Sequence, residues 1–474
     1  MNRPYRLLLI GLLHKVFGWL YTIGIAQAQN RLLELFNSIY DYATPDCPNL
    51  VEINVLGNRR FFFTREPTHI KAILTGKFAD YGKGPDFHRV WRPFLGDSIF
   101  TTDHQPWQES RSLIRPMFLK SRVSDLKIFE QWTETMIQQL PKSGQTLDIM
   151  DYFYRLTMDV TTDFLLGQSV NSLENPNSGF VQSFVKIQRK QMMLTVLSPI
   201  ERFVPRKSYY HHIKVLENFI VPFINQTLAL SSEELEKVSK SETSFTFLHA
   251  LANYTRDPRV IRDQIISVLL AGRDTTAATL SWTFYELSHY PAIYAKLRAE
   301  ILSVVGHNRK PTYENLKDMK YLSHTLNETL RLYPAVPFNI RSALTDTSLP
   351  GLPGEPDITV VAGDAVIYST LALQRRPDIY PPTSPLFADP AIFSPDRWDN
   401  WSPPPWSYLP FNGGPRICIG QNFALTEMAY VMVKLLQKYE RLEYRGEWNK
   451  QFQKVEIVGT PGCGVPVALF EATS

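Results

Sequence analysis

Cysteine is scarce in this 474-residue chain, with three residues at Cys47, Cys418 and Cys463. Three cannot build a disulfide framework, they suit a reducing compartment, and at least one must stay unpaired. A dominant charge is also lacking. Lys and Arg number 50 against 46 Asp and Glu, a formal net charge of +4. That surplus is too small over this length to argue for nucleic acid as a partner, and no long basic run adds to it. Internal repeats, low-complexity linkers and a Gly-x-Gly-x-x-Gly nucleotide loop are missing as well.

Long apolar runs are rare. Leu7 to Ile25 is mostly apolar but is interrupted by His14 and Lys15, a marginal span by the roughly 20-residue criterion. Residues 1–28 are expected to be an N-terminal membrane-anchor segment that crosses or lies on the surface, and residues 29–474 the main domain. A signal peptide competes, because Arg3 and Arg6 precede the run and Ala26-Gln27-Ala28 resembles a cleavage site. A soluble N-terminal helix is the third reading. Four N-x-[ST] sequons, at Asn225, Asn253, Asn327 and Asn400, read as chance matches, the third lying in a helical pattern where a glycan hardly fits.

What is present is an ordered composition, 44% hydrophobic and 20% charged, with ample material for a large core. Val51 to Phe63 reads as two short strands around Gly57-Asn58. Beyond Asp103 the pattern is mainly helical, and a second β-region spans Asn339 to Thr370. The fold class is therefore mainly α with small β-sheets, α+β. A Pro-rich, poorly periodic passage from Arg376 to Pro410 leads to Cys418, and long ordered loops tend to be functional.

Around Cys418 the order is Phe411-Asn412-Gly413-Gly414-Pro415-Arg416-Ile417-Cys418-Ile419-Gly420. The glycines and proline make a tight turn. From Gln421 to about Lys438, Phe423, Ala424, Met428, Val431, Met432 and Leu435 recur at helical spacing, so Cys418 sits near a helix N-terminus. Free amides and the helix dipole there stabilise a thiolate. With no neighbouring His or second Cys, a metal whose other ligands are not protein is the natural partner, as in haem. The plain alternative is an inert core cysteine.

A second constellation lies in a helix bracketed by the N-cap Asp257, Pro258 and the stop Pro291, roughly 33 residues or about 50 Å. Its apolar centre carries Ala271-Gly272-Arg273-Asp274-Thr275-Thr276. Gly272 costs about 1 kcal/mol relative to Ala, so something is expected to pack against the backbone. The Thr275 hydroxyl can bond the Ala271 carbonyl, loosening the helix and leaving a groove. Alternatively these residues permit close helix packing, and Asp274 lies in an ion pair. Glu328 and Arg331 share a helical face at i, i+3. Trp107, Arg111 and Arg115 recur at i, i+4, i+8, either as a site for anions or as a solvated basic face.

The cysteine segment resembles the cytochrome P450 haem-binding loop F-x-x-G-x-R-x-C-x-G, matched at Phe411, Gly414, Arg416, Cys418 and Gly420. The helix centre resembles the family's oxygen-activation motif [AG]-G-x-[DE]-T-[TS], and Glu328 to Arg331 its E-x-x-R element, with Phe393 to Trp398 supplying Arg397. Trp107 and Arg111 are similar to its W-x-x-x-R element. The wording at Ala271 to Thr276 and from Phe94 to Phe118 looks most like fungal enzymes that hydroxylate alkanes and fatty acids. The Pro-rich hinge that usually follows the family's anchor is missing.

The resemblance implies a P450 fold with haem b (iron protoporphyrin IX) between the long central helix and the Cys-loop helix. Cys418 then ligates the iron, Phe411 packs near the sulfur, and Trp107, Arg111, Arg341 and Arg416 serve the propionates. Asp274 and Thr275 become the acid–alcohol pair relaying protons to dioxygen. Glu328, Arg331 and Arg397 are structural. The implied function is oxygen insertion into a small apolar substrate, aliphatic or from specialised metabolism. Electrons come from a separate NADPH–cytochrome P450 reductase docking on the cysteine side, where Arg115 and Lys120 can meet an acidic partner. The location implied is the endoplasmic reticulum membrane, facing the cytosol. A tailoring oxidase, an isomerase or dehydratase, and a haem-thiolate sensor are the rivals. Substrate walls are expected from Gly82 to Trp91, Val181 to Leu230, Ala271, Thr275, Val336 to Phe338 and Pro461 to Val465.

Overall fold

Residues 21–55, 59–119, 124–239 and 246–472 are described by a computed structural model of the chain. The expected turn pair Gly57-Asn58, Lys120 and most of the expected anchor lie outside the described residues. Residues 21–28 are helical. Among the described residues no helix is long and apolar enough to cross a membrane.

Eight helices position the site: α1 Gly84–Leu95, α2 His104–Ile114, α3 Ile149–Leu166, α4 Gly179–Val196, α5 Lys207–Leu228, α6 Pro258–His289, α7 Lys320–Leu332 and α8 Gln421–Lys438. The strands β1 Leu50–Val55, β2 Arg59–Thr64, β3 Tyr81–Gly82, β4 Asn339–Ala343 and β5 Ala365–Tyr368 form one sheet in the order β1-β2-β5-β4-β3. Only the β2–β5 pair is parallel. Val51 faces Phe63 across the first hairpin, and the second β-region falls where its composition placed it.

The bracketing of α6 by its end signals holds. The Asp257 side chain accepts the Arg259 N–H at 2.8 Å, Pro258 needs no N–H partner at the first position, and the helix runs 32 residues. Its middle is buried on nearly every face, which is why no single apolar stripe marks it. One core joins Phe153 and Val160 of α3, Leu280 and Phe284 of α6, and Val431 and Leu435 of α8. The other joins Phe94 of α1, Phe184 of α4, Leu216 of α5 and Ile261 and Ile265 of α6. α6 is thus the spine shared by both cores, with α8 beside its C-terminal half. The four sequons sit in helical segments.

Candidate functional site

The cysteine loop is shaped by Gly414. Its φ is +61°, and a Cβ there would lie 2.0 Å from the Leu74 carbonyl oxygen, so only glycine fits. The Cys418 N–H donates to the Phe411 carbonyl at 2.9 Å, and the Arg111 guanidinium donates to the Ile417 carbonyl at 3.0 Å. Burial pushes the Cys418 thiol up, while the Gly420 amide and Arg111 favour the thiolate. The residue nevertheless keeps accessible surface. Gly420 precedes α8 with an ordinary φ of −93°. A Cβ on it would make only van der Waals contact with Phe118 at 3.6 Å, so the protein itself does not demand glycine there.

Beside this loop lies a group of buried cations. Arg416 donates to Asp103 at 2.7 Å and to the Thr102 carbonyl at 3.0 Å, and it covers the Trp107 ring at 4.7 Å. Arg341 is 2% exposed and donates to Asn339 Oδ1 at 3.0 Å. Burial, then repulsion from Arg341, brings Arg416 down to about 10, and its Nε is buried without a partner. The sequence-predicted residues Trp107, Arg341 and Arg416 therefore meet, and Arg111, whose guanidinium lies over the Trp107 ring at 5.9 Å, also bonds the cysteine loop. Lys83 and Asp103 belong to the same group and were not foreseen. Asp103 precedes α2, where an aspartate reads as a helix cap; instead its carboxylate accepts the Lys83 and Gly84 N–H groups at 2.7 and 2.8 Å.

A lone cysteine at a helix start, surplus buried cations and an unpartnered guanidinium nitrogen suit haem, which brings iron for the sulfur and propionates for the cations.

The centre of α6 differs from expectation in one respect. Thr275 Oγ1 does donate to the Ala271 carbonyl at 2.8 Å, yet the helix is unbroken. Gly272 is matched by Thr161 of α3, whose Oγ1 would sit 3.0 Å from a Cβ. The glycine thus permits close packing of α3 on α6, while Ala271 and Thr275 keep part of their surface accessible. Asp274 is buried and pairs with Arg273 at 2.7 Å, and Gln188 of α4 donates to its other oxygen. Burial raises its pKa and Arg273 opposes the rise. The partner Gln188, 86 residues away in the chain, has no local signal. Glu427 of α8 is also buried beside Thr276; burial pushes its pKa well above the usual range, and the Thr276 hydroxyl opposes the rise.

Glu328, Arg331 and Arg397 come together fully buried. Glu328 binds Arg331 through both oxygens at 2.8 Å and Arg397 at 3.4 Å, and it accepts from the Trp398 indole at 3.0 Å. This ties α7 to the Pro-rich passage leading to the cysteine.

Two cavities flank the site. One of about 540 Å³ lies between α2 and the cysteine loop, lined by Trp107, Arg111, Arg115, Gly414 and Ile417 among others. A narrower one of about 70 Å³ is walled by Lys83, Phe87, Trp91, Thr195 and Ile340 among others. The expected walls at Gly82 to Trp91 and in α4 contribute to it; Ala271, Thr275, Val336 to Phe338 and Pro461 to Val465 do not.

The class to which this arrangement points is the haem-thiolate proteins. Residues 37–462 match the family model Cytochrome P450, and the chain belongs to that family. It is 47% identical over 443 residues to cytochrome P450 monooxygenase pvhE of Talaromyces variabilis, covering 89% of this chain and 82% of that protein. Identity to cytochrome P450 52-N1 of Starmerella bombicola is 38%, over 86% of this chain and 83% of that protein. Cytochrome P450 52A1 of Candida tropicalis is 39% identical, over 80% and 72%. The crystal structure of the cytochrome P450DA haem domain shares the fold, with a TM-score of 0.75 and 21% identity over 93% of this chain and 92% of that one. The chain is thus a P450 monooxygenase, an oxidoreductase of a haem-iron family whose members use dioxygen and a redox partner.

Proposed function

We propose that the chain inserts one oxygen atom from dioxygen into a long aliphatic or otherwise apolar substrate, drawing electrons from an NADPH-dependent reductase. The observation that carries this reading is Cys418 before α8, with the Gly420 amide at its sulfur and Arg341 and Arg416 buried nearby. Cys418 holds the iron of haem b, and Arg341, Arg416 and Trp107 hold the propionate edge. When bound, the haem supplies the electron transfer and oxygen chemistry, to which the thiolate donates electron density. Arg111 fixes the cysteine loop through Ile417. Asp274 brings a proton into the centre of α6, and the Thr275 hydroxyl passes it on. Glu328, Arg331 and Arg397 hold the passage before the cysteine in place.

The cation-bearing cavity of Trp107, Arg111 and Arg115 is the face for the reductase, since acidic partners dock on such surfaces. Residues 1–28 anchor the protein to the endoplasmic reticulum membrane with the catalytic domain in the cytosol. Phe87, Trp91 and Ile340 give the narrow cavity an apolar wall suited to an extended hydrocarbon.

The test is incubation with reductase, NADPH, isotopically labelled dioxygen and an apolar extract of the producing cells, followed by mass spectrometry. A product gaining one labelled oxygen is expected. Products that are isomers or dehydrated forms, without labelled oxygen, would overturn the reading in favour of an isomerase or dehydratase. The identity of the labelled product separates a fatty-acid or alkane hydroxylase from a tailoring oxidase.

A further inference from the structure

We propose that Trp282, Tyr333, Tyr285, Trp448 and Tyr444 form a path along which oxidising equivalents leave the haem site for the surface when no substrate consumes them. This rests on the haem reading above and concerns residues that none of the site motifs includes. Trp282 lies on α6 at i+7 from Thr275, two turns on and on the same helical face. It is 2% exposed, and its indole N–H donates to the Gly459 carbonyl at 3.1 Å. The Tyr333 ring is stacked on it, with centroids 4.0 Å apart and planes 3° from parallel. Rings in face-to-face contact exchange an electron readily, and indole and phenol are among the side chains most easily oxidised.

Oxidising a phenol also requires a place for its proton. The Tyr333 hydroxyl donates to the buried Glu286 carboxylate at 2.5 Å, within reach for proton transfer. Burial and then Glu286 hold the Tyr333 pKa above its ordinary value, so the phenol ionises only as its electron leaves. From Trp282 the rings continue outward to Tyr285 at 5.5 Å. Tyr285 meets Trp448 at 5.0 Å and Tyr444 at 5.5 Å, and these two are stacked at 4.1 Å. Trp448 then packs against the exposed His289 at 4.1 Å. At each step one electron passes inward and the vacancy moves outward. The Tyr333 proton goes to Glu286 and returns when the ring regains its electron. A small thiol at the surface supplies that electron and a proton. With a peroxy acid as the oxidant, one peroxy acid and two thiols give one carboxylic acid, one water and one disulfide.

The test mixes substrate-free holoprotein with meta-chloroperbenzoic acid, at a pH above about 7 where Glu286 is ionised, and adds glutathione in a second mix. Radicals are followed by freeze-quench electron paramagnetic resonance and haem loss by bleaching of its absorbance, for the wild type, Y333F, E286Q and W448F. The wild type is expected to show a tyrosyl signal that glutathione quenches. Y333F and E286Q are expected to lose the signal, and W448F to keep it but quench more slowly. All three variants should bleach faster than the wild type. Y333F removes only a hydroxyl and keeps the ring stack, and W448F, nearer the surface, stands in if Y333F does not fold. An unchanged signal in Y333F or E286Q would overturn the proposal. So would quenching and bleaching of W448F at the wild-type rates. Wild-type protein purified without haem absorbance would overturn the haem reading itself, which the spectrum shows before any oxidant is added.

Discussion

Asp103 accepts the Arg416 guanidinium at 2.7 Å while holding the Lys83 and Gly84 main-chain N–H groups, so one carboxylate joins the cysteine loop to the segment before α1. Asp103→Asn leaves a mostly buried guanidinium without its counter-charge. Breaking such a pair costs about 3 kcal/mol. The loss should appear in urea unfolding of the haem-depleted protein and shrink when haem is bound, because the propionates offer Arg416 another anion. Unchanged midpoints in both forms would remove Asp103 from this role.

Glu328 is the shared acceptor of two buried guanidinium groups and a half-buried indole. Glu328→Gln keeps the shape but strands both charges, so a loss of about 3 to 5 kcal/mol is expected, read as a lower urea midpoint or as insoluble protein. Arg397→Lys should cost less, since Arg331 still pairs through two bonds. If the two variants prove equally stable to the wild type, the trio does not hold the passage to the cysteine.

Two glycines of the loop should respond differently. Gly414→Ala meets both a left-handed backbone and the Leu74 carbonyl. It should lower stability by more than about 1 kcal/mol with or without haem. Gly420→Ala meets only Phe118 at contact distance, so the haem-depleted protein should unfold as the wild type does. Its effect should be confined to haem absorbance and haem retention. Destabilisation of the haem-depleted protein by Gly420→Ala would show that the protein, not the cofactor, selects that glycine.

Features written in local periodicity or end signals were legible in the sequence. Asp257-Pro258 and Pro291 delimit α6, the turn before Cys418 announces α8, and the i, i+3 spacing of Glu328 and Arg331 places them on one face. Partners brought from far along the chain were not. Gln188 reaches Asp274 from α4, and Thr161 fills the space at Gly272 from α3. Neither contact leaves a trace in the residues beside it. Asp103 carries no local sign of its role, because its carboxylate turns to the Lys83 loop rather than capping α2. Glu427 was hidden inside an apolar helical pattern, its charge suppressed by burial.

Glu286 gives a pH signature. It is buried and accepts the Tyr333 hydroxyl at 2.5 Å; burial lifts its pKa from 4.5 to about 7, and the hydroxyl opposes the rise. For an acid raised on folding, both states are protonated below 4.5. Between 4.5 and about 7 the unfolded chain ionises while the folded one keeps its proton, so stability falls as pH rises and then levels. Glu286→Gln removes that slope. The wild type should lose about 3 kcal/mol more than the variant across this window, measured as urea midpoints against pH. Parallel profiles would place the Glu286 pKa near the ordinary carboxylate range.

Asp274 poses the sharpest test of the proton path, because in this structure its oxygens are engaged by Arg273 and Gln188 while the Thr275 hydroxyl points to Ala271. A relay role requires the carboxyl to exchange those partners during turnover, and its burial, which raises the pKa, makes the protonated form more accessible. Asp274→Asn should therefore lower kcat by about tenfold or more and enlarge the solvent deuterium isotope effect, with substrate affinity little changed. Thr275→Ala should instead keep electrons flowing while diverting a larger share of NADPH to peroxide. The two variants separate proton supply from proton placement. Were Asp274→Asn to turn over at the wild-type rate with the wild-type isotope effect, Asp274 would be only the counter-charge of Arg273. Its substitution would then register as lost stability alone, since a buried Arg273 left unpaired is costly whatever the chemistry nearby.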